Sequence, residues 1–358
     1  MTPETWMARA LELAERARGR TAPNPHVGAV IVRDGQAVGE GWHHGPGRPH
    51  AEREALAVAS ELARGATLYC TLEPCCHHGR TPPCTDAILD AGLARVVYAV
   101  DDPDPQVAGR GAAQLVAGGV AVERGVLAAQ VADSLAAYLH HRRTGRPLVL
   151  VKWAMTLDGR LASASGDSRW VSGPAARTRV HELRDRVDAV LVGAGTVLAD
   201  DPALTVRLER PGRNPLRVVV DTHGRTPARA RVFTDGAAPT LLAVGESARG
   251  LERPGAEVLV LPERDGRVDL AALLAALGAR GVLEVLCEAG GTLGGALLSQ
   301  GLAGRVAVFV APKLVGGDGP TPWAGRGRAT MAAALALGDV RYEQVGADLL
   351  VTGRIEQD

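Results

Sequence analysis

Short apolar runs rich in β-branched residues alternate with Ala-, Leu- and Glu-rich stretches along most of this 358-residue chain. That alternation restricts it to an α/β architecture. In the segment 3–18, Trp6, Met7, Ala10, Leu11 and Ala14 recur at spacings of three and four, the mark of a helix with one buried face. Residues 27–32 read as a buried strand, and Asp34-Gly35 is a tight-turn signal leading into a second strand at 37–42. A helix is expected over 50–63, a strand over 67–72, a helix over 84–90 and a strand over 96–100.

The pattern breaks at Arg142-Arg143-Thr144-Gly145-Arg146-Pro147 and restarts with Leu148-Val149-Leu150-Val151. Two domains are therefore expected, 1–145 and 146–358, which suits a length of about 100–200 residues per domain. In the second, strands are expected at 189–192, 217–220, 240–244, 258–261, 282–287 and 305–310. Helices are expected at 174–186, 269–279 and 292–300, and the tail 344–355 reads as strand.

Net charge is zero, and it is balanced locally. The first 146 residues carry 15 arginines against 16 acids, and the remainder 25 basic residues against 24 acids. That argues against a nucleic-acid partner. No window approaches the roughly 18 apolar residues of a membrane span, and residues 1–6 carry no export signal, so a cytoplasmic protein is expected. Five cysteines, three of them between 75 and 84, do not make a paired disulfide framework and point to metal or catalysis.

His50-Ala51-Glu52, then Pro74-Cys75 and Cys84, supply an imidazole, two thiolates and a carboxylate. Three N/S ligands leave zinc a fourth position for water, whose pKa falls to about 7. Glu52, near the start of the same helix as His50, is placed to move protons from that water to a leaving amine, as in zinc deaminases. The spacing departs from the general signature Pro-Cys-x-x-Cys, because eight residues separate Cys75 from Cys84. On spacing alone Cys76, His77 and His78 stay open as ligands. The bland alternative is a surface histidine with cysteines serving as small buried hydrophobes, the role expected of Cys70 and Cys287.

The intervening stretch resolves that ambiguity by resemblance. Thr71-Leu72-Glu73-Pro74-Cys75 and His77-His78-Gly79-Arg80-Thr81-Pro82-Pro83-Cys84, with His50-Ala51-Glu52, resemble the bifunctional deaminase/reductase of riboflavin biosynthesis, in which the eight-residue gap is normal. The resemblance continues through Lys152-Trp153-Ala154-Met155-Thr156-Leu157-Asp158-Gly159-Arg160, Ser168-Arg169-Trp170, Gly195-Thr196-Val197-Leu198-Ala199-Asp200-Asp201-Pro202, Glu288-Ala289-Gly290-Gly291 and Ala311-Pro312-Lys313-Leu314. It implies an N-terminal cytidine-deaminase-like α/β/α sandwich and a C-terminal dihydrofolate-reductase-like α/β domain. The implied reactions are deamination of a diaminopyrimidinone ribosyl phosphate and NADPH-dependent reduction of its ribosyl side chain. One zinc ion per chain and NADPH are the expected cofactors, and a homo-oligomer, dimer or tetramer, the expected assembly.

Site residues follow the same resemblance. His50, Cys75 and Cys84 would hold zinc, with Glu52 catalytic; Asn24, His43, His77 and Arg80 would bind substrate. In the second domain Ala154, Trp170, Thr196, Asp200, Thr222 and the turn Gly290, Gly291, Thr292, Leu293, Gly294, Gly295, Ala296 would face the cofactor. Ser168, Arg184, Leu204, Arg207 and Glu288 would face the substrate. Only two of the forty basic residues are lysines, Lys152 and Lys313, which marks both for chemistry, Lys152 as the catalytic one. Asp200-Asp201 reads equally as a turn or helix cap. Two rival functions remain: a nucleic-acid-editing deaminase, which the charge balance disfavours, and a deaminase whose second half is a non-catalytic nucleotide-binding or oligomerisation domain.

Overall fold

The structure is a computed structural model describing residues 1–79 and 81–356. It divides into two compact units, Met1–Gly145 and Arg146–Asp358. No helix among the described residues is long and apolar enough to cross a membrane.

The first unit runs α1 (Pro3–Glu15), β1 (Gly28–Arg33), β2 (Gln36–Trp42), α2 (Ala51–Ala59), β3 (Thr67–Leu72), α3 (Cys84–Asp90), β4 (Arg95–Val100), α4 (Arg110–Ala117), β5 (Ala121–Arg124), α5 (Ala128–Ser134) and α6 (Ala136–Thr144). Its strands lie in the order β2-β1-β3-β4-β5. β1 is antiparallel to both β2 and β3, and β3, β4 and β5 run parallel. The β1–β2 turn places Asp34 and Gly35 at φ 51° and 73°, the paired positive values that a two-residue hairpin requires. Helices cover both faces because glycine lets them approach. A Cβ at Gly28 would meet Ala10 O of α1 at 2.0 Å, and one at Gly41 would meet Ala51 O of α2 at 2.5 Å. Gly28 pairs with Trp42, next to Gly41, so the two glycines point to opposite faces. The result is the expected α/β/α sandwich.

The second unit runs β6 (Leu148–Thr156), α7 (Pro174–Arg186), β7 (Ala189–Gly193), α8 (Ala194–Asp200), β8 (Leu216–Val220), α9 (Arg231–Thr234), β9 (Thr240–Gly245), β10 (Glu257–Leu261), β11 (Glu263–Arg264), β12 (Arg267–Val268), α10 (Leu270–Ala279), β13 (Glu284–Cys287), α11 (Gly291–Ser299), β14 (Arg305–Ala311), β15 (Leu337–Val345) and β16 (Asp348–Ile355). The sheet order is β10-β9-β8-β7-β13-β6-β14-β16-β15. From β10 to β14 the strands are parallel; β16 and β15 add antiparallel. β13 inserts between β6 and β7, making a switch point at whose carboxyl ends α/β sheets open a crevice. The tail departs from the sequence expectation. It is a hairpin turning at Gly346 (φ 65°), with β15 largely exposed and so lacking a buried apolar face to announce it.

Two charged side chains organise this unit. Asp269 caps α10 by accepting from the Ala271 and Ala272 amides, worth about 1 kcal/mol. Arg217, on β8 and 1% exposed, uses its whole guanidinium: Nη1 to Asp235 (2.7 Å) and Ala203 O (3.2 Å), Nη2 to Ala238 O (2.7 Å), Nε to Thr240 Oγ1 (2.9 Å).

Candidate functional site

In the first unit two helix starts and a strand end converge. His50 is the N-cap of α2 and Glu52 lies in its first turn; Cys84 opens α3, and Cys75 follows β3. His50 Nδ1 lies 3.5 Å from Cys75 Sγ and 3.4 Å from Cys84 Sγ, and one donor atom from each of the three residues falls within 4.8 Å of the others. A tetrahedral ion bonded at the usual zinc lengths would hold N and S donors about 3.5 Å apart, so the donor set fits zinc. The Cys84 amide also donates to Cys75 Sγ (3.4 Å). Hydrogen bonding from the Cys84 thiol, then from His50, brings the Cys75 thiol down to about 4 against the drag of burial, the form a metal needs. Glu52 is buried, and its carboxyl is pushed up first by desolvation and then by Cys75; a divalent cation would oppose both effects.

The surrounding shell is built in. Thr81 Oγ1 sits 3.2 Å from His50 Nε2, where it can accept that N–H and leave Nδ1 as the ligand atom. The sequence reading missed Thr81, a hydroxyl in a Gly- and Pro-rich loop. Glu73, just before Pro74-Cys75, is buried and accepts from the amides of Asp102 (3.3 Å), Gly109 (3.0 Å) and Ala112 (3.1 Å). Cys76 stands apart, its Sγ directed to Gln106 O, and Cys70 and Cys287 are fully buried.

The expected substrate residues of this unit divide. His43 is buried and both ring nitrogens are engaged, Nδ1 with Pro49 O (3.0 Å) and Nε2 with Asn24 Nδ2 (3.0 Å). His43 therefore orients the Asn24 amide. His77 is half-buried, and its Nδ1 has no hydrogen-bond partner among the described residues. Arg80 lies outside the described residues.

In the second unit a cavity of ≈ 2100 Å³ opens at the carboxyl ends of β6, β7, β8 and β13, well beyond the usual range of about 300–1,000 Å³. Lys152, Ser168, Arg184, Leu204, Arg207 and Glu288 line it. So do Ala154, Trp170, Thr196, Asp200 and Thr222. Glu288 takes a two-point contact from Arg184, Nε to Oε1 at 2.5 Å and Nη2 to Oε2 at 3.0 Å. Burial raises the Glu288 pKa, but Arg184 and then Lys152 outweigh it and hold the group below its ordinary value. Lys152 is lowered, mainly by burial and against the pull of Glu288. Lys313 is elsewhere, donating to Trp170 O at 2.6 Å, and Asp201 is the left-handed C-cap of α8.

Gly290, Thr292, Leu293 and Ala296 of the glycine-rich turn line the cavity. At Gly291, Gly294 and Gly295 an added Cβ would meet Thr321 O at 2.1 Å, the Trp153 ring at 2.9 Å and the Trp323 ring at 2.8 Å. Glycine at these three positions admits that close packing. The reading also missed His181, which lines the cavity with Nδ1 3.1 Å from Thr205 O.

The comparisons agree across the chain. The RibD C-terminal domain model matches residues 147–351, and the cytidine and deoxycytidylate deaminase zinc-binding region matches residues 1–100. The chain is 44% identical over 331 residues to riboflavin biosynthesis protein RibD of Escherichia coli, covering 89% of this chain and 90% of that protein. It is 43% identical to RibD of Actinobacillus pleuropneumoniae, covering 98% and 95%. A crystal structure from Thermotoga maritima, described as a diaminohydroxyphosphoribosylaminopyrimidine deaminase/5-amino-6-(5-phosphoribosylamino)uracil reductase, superposes with a TM-score of 0.88 at 37% identity, covering 99% of each chain. The chain belongs to the RibD family, the bifunctional deaminase–reductases of riboflavin biosynthesis.

Proposed function

We propose that the first unit hydrolyses the amine from 2,5-diamino-6-ribosylamino-4(3H)-pyrimidinone 5′-phosphate, and that the second reduces the ribosyl side chain of the product to ribityl with NADPH. The convergence of His50, Cys75 and Cys84 beside the buried Glu52 carries the first half of this reading.

One zinc ion per chain, held by His50, Cys75 and Cys84, supplies a water acidic enough to lose its proton near neutrality. Glu52 takes that proton and delivers it to the leaving amine, so water enters and ammonia departs. Asn24, its amide nitrogen committed to His43, presents its carbonyl oxygen to the donor edge of the pyrimidine. The unpartnered Nδ1 of His77 supports a polar contact to the substrate there.

In the second unit NADPH supplies the hydride. Lys152 protonates the ring oxygen as the ribosylamine opens to a C=N species, whose anomeric carbon then accepts the hydride. Glu288, fixed by Arg184, holds the sugar hydroxyls, and Arg207 pairs with the phosphate. A homo-oligomer is supported by the outer hairpin, where β15 is a free sheet edge bearing exposed Leu337 and Tyr342. The five free cysteines support a cytoplasmic location.

The test is to supply the diaminopyrimidinone ribosyl phosphate with NADPH and follow both ammonia and nicotinamide absorbance. Ammonia release with no oxidation of NADPH would remove the second activity and leave the nucleotide-binding or oligomerisation alternative.

A further inference from the structure

Helix α7 turns one face to the cavity of the second unit. Arg177, His181 and Arg184, spaced by four and three along it, all line the cavity. Arg177 lies over the Trp170 ring at 4.5 Å, and Arg184 is committed to Glu288. His181 stands between the two arginines.

His181 is half-buried, and its Nδ1 lies 3.1 Å from Thr205 O and 3.3 Å from the Arg207 amide. Burial, then Arg184 and Arg207, bring its pKa down to about 4, so the ring is neutral at ordinary pH and carries one proton. On Nδ1 that proton serves the shorter contact, to Thr205 O. Nε2 is then a bare acceptor, and it has no hydrogen-bond partner among the described residues. Its neighbours are of other kinds. Arg184 and Arg207 are donors only, the Glu288 carboxylate is taken up by Arg184, and Thr205 Oγ1 accepts from Arg207 Nη1 (3.0 Å).

With the sugar hydroxyls on Glu288 and the phosphate on Arg207, as in the reductase reading, His181 falls beside the sugar carbon next to the phosphate-bearing one. The oxygen on that carbon changes character during the reaction. In the closed ribosylamine it is the ring oxygen O4′, an acceptor only. On opening, the C1′–O4′ bond breaks with its electron pair on O4′, O4′ takes the Lys152 proton, and the nitrogen lone pair closes the C=N. O4′ is then a hydroxyl with a proton to donate.

We propose that His181 Nε2 accepts a hydrogen bond from this C4′ hydroxyl and thereby favours the opened, hydride-accepting form over the closed ring. Two acceptors facing each other do not bond, so the contact exists only after opening, the kind of differential binding that lowers a barrier. The inference rests on the reductase reading and adds to it a residue that distinguishes the two forms of the sugar.

The test uses the full-length protein and its H181L and H181Q variants. Calorimetric titration with the ribityl product phosphate and with its 4′-deoxy analogue measures binding without turnover, and NADPH oxidation on the deaminated ribosyl substrate measures rate. Leucine removes both ring nitrogens, whereas glutamine keeps a donor for Thr205 O and an acceptor for the hydroxyl. In H181L, affinity for the product should fall about tenfold, as for one lost hydrogen bond, with affinity for the 4′-deoxy analogue unchanged. The kcat should fall by a similar factor with KM nearly intact, and H181Q should recover most of both losses. The wild type should prefer the product to its 4′-deoxy analogue, a comparison that needs no variant to fold. Equal losses on the two ligands in H181L, no loss on either, an H181Q as impaired as H181L, or a wild type indifferent to the 4′-hydroxyl overturns the assignment and leaves the reductase reading standing. A wild type that neither binds the product nor oxidises NADPH overturns both.

Discussion

Thr81 Oγ1 lies 3.2 Å from His50 Nε2, on the side of the imidazole opposite the two cysteines. Nδ1 is the ring nitrogen that faces both cysteines. Thr81→Val should lower zinc affinity about 10- to 100-fold, read by competition with a chromogenic chelator. Glu52→Gln should abolish deamination with zinc still near stoichiometric, so the two variants separate binding from chemistry. Unchanged zinc affinity in Thr81→Val would mean the hydroxyl does not fix the ring.

His43 holds the Asn24 amide through Nε2. His43→Phe frees the Asn24 amide to rotate, and the expected result is a KM for deamination raised about tenfold, the worth of one lost hydrogen bond. Zinc content should be unaltered and kcat little changed. A collapse of kcat with KM preserved would count against this role.

Lys152, if it acts as proposed, should set an alkaline limit on the reductase. A lysine is charged below its pKa, and burial moves this one below 10.5, so its proton is lost earlier as pH rises than from an exposed amine. The reductase rate with saturating NADPH should therefore decline at a pH below the ordinary lysine range, with deamination unaffected. In Lys152→Arg the decline should disappear, at a much lower rate, because a guanidinium stays charged. A limb that persists in Lys152→Arg belongs to another group.

Arg217→Met should destabilise the second unit by about 3–5 kcal/mol, because it strands Asp235 and three other acceptors around a buried site. Thermal unfolding followed by near-ultraviolet circular dichroism would register this as an early transition. Zinc content should stay at the wild-type level.

What the sequence disclosed follows from what kind of signal each residue leaves. His50, Glu52, Cys75 and Cys84 occur in an order that few other demands would produce, and the strand 67–72 and helices 84–90 and 174–186 appear at the expected bounds. Residues 110–144 form three short helices and a strand that the reading passed over, since none carries a long apolar face. Thr81, His181 and Arg217 leave no periodic trace, because each acts through one contact made in three dimensions. Gly291, Gly294 and Gly295 are ambiguous in sequence for a different reason. Glycine marks close approach by anything, and the groups that approach these three include Thr321 and the rings of Trp153 and Trp323.

Glu73 adds a constraint of another kind. Its carboxylate gathers the amides of Asp102, Gly109 and Ala112 directly before the turn that delivers Cys75, and a Cβ at Gly111 would meet Pro74 O at 2.1 Å. The segment 102–112 is thus gauged against the metal loop like a spacer in a jig. A one-residue deletion within it changes no ligand and removes no charge needed for catalysis, yet it would displace Cys75, so length in this stretch should tolerate far less variation than its surface position suggests.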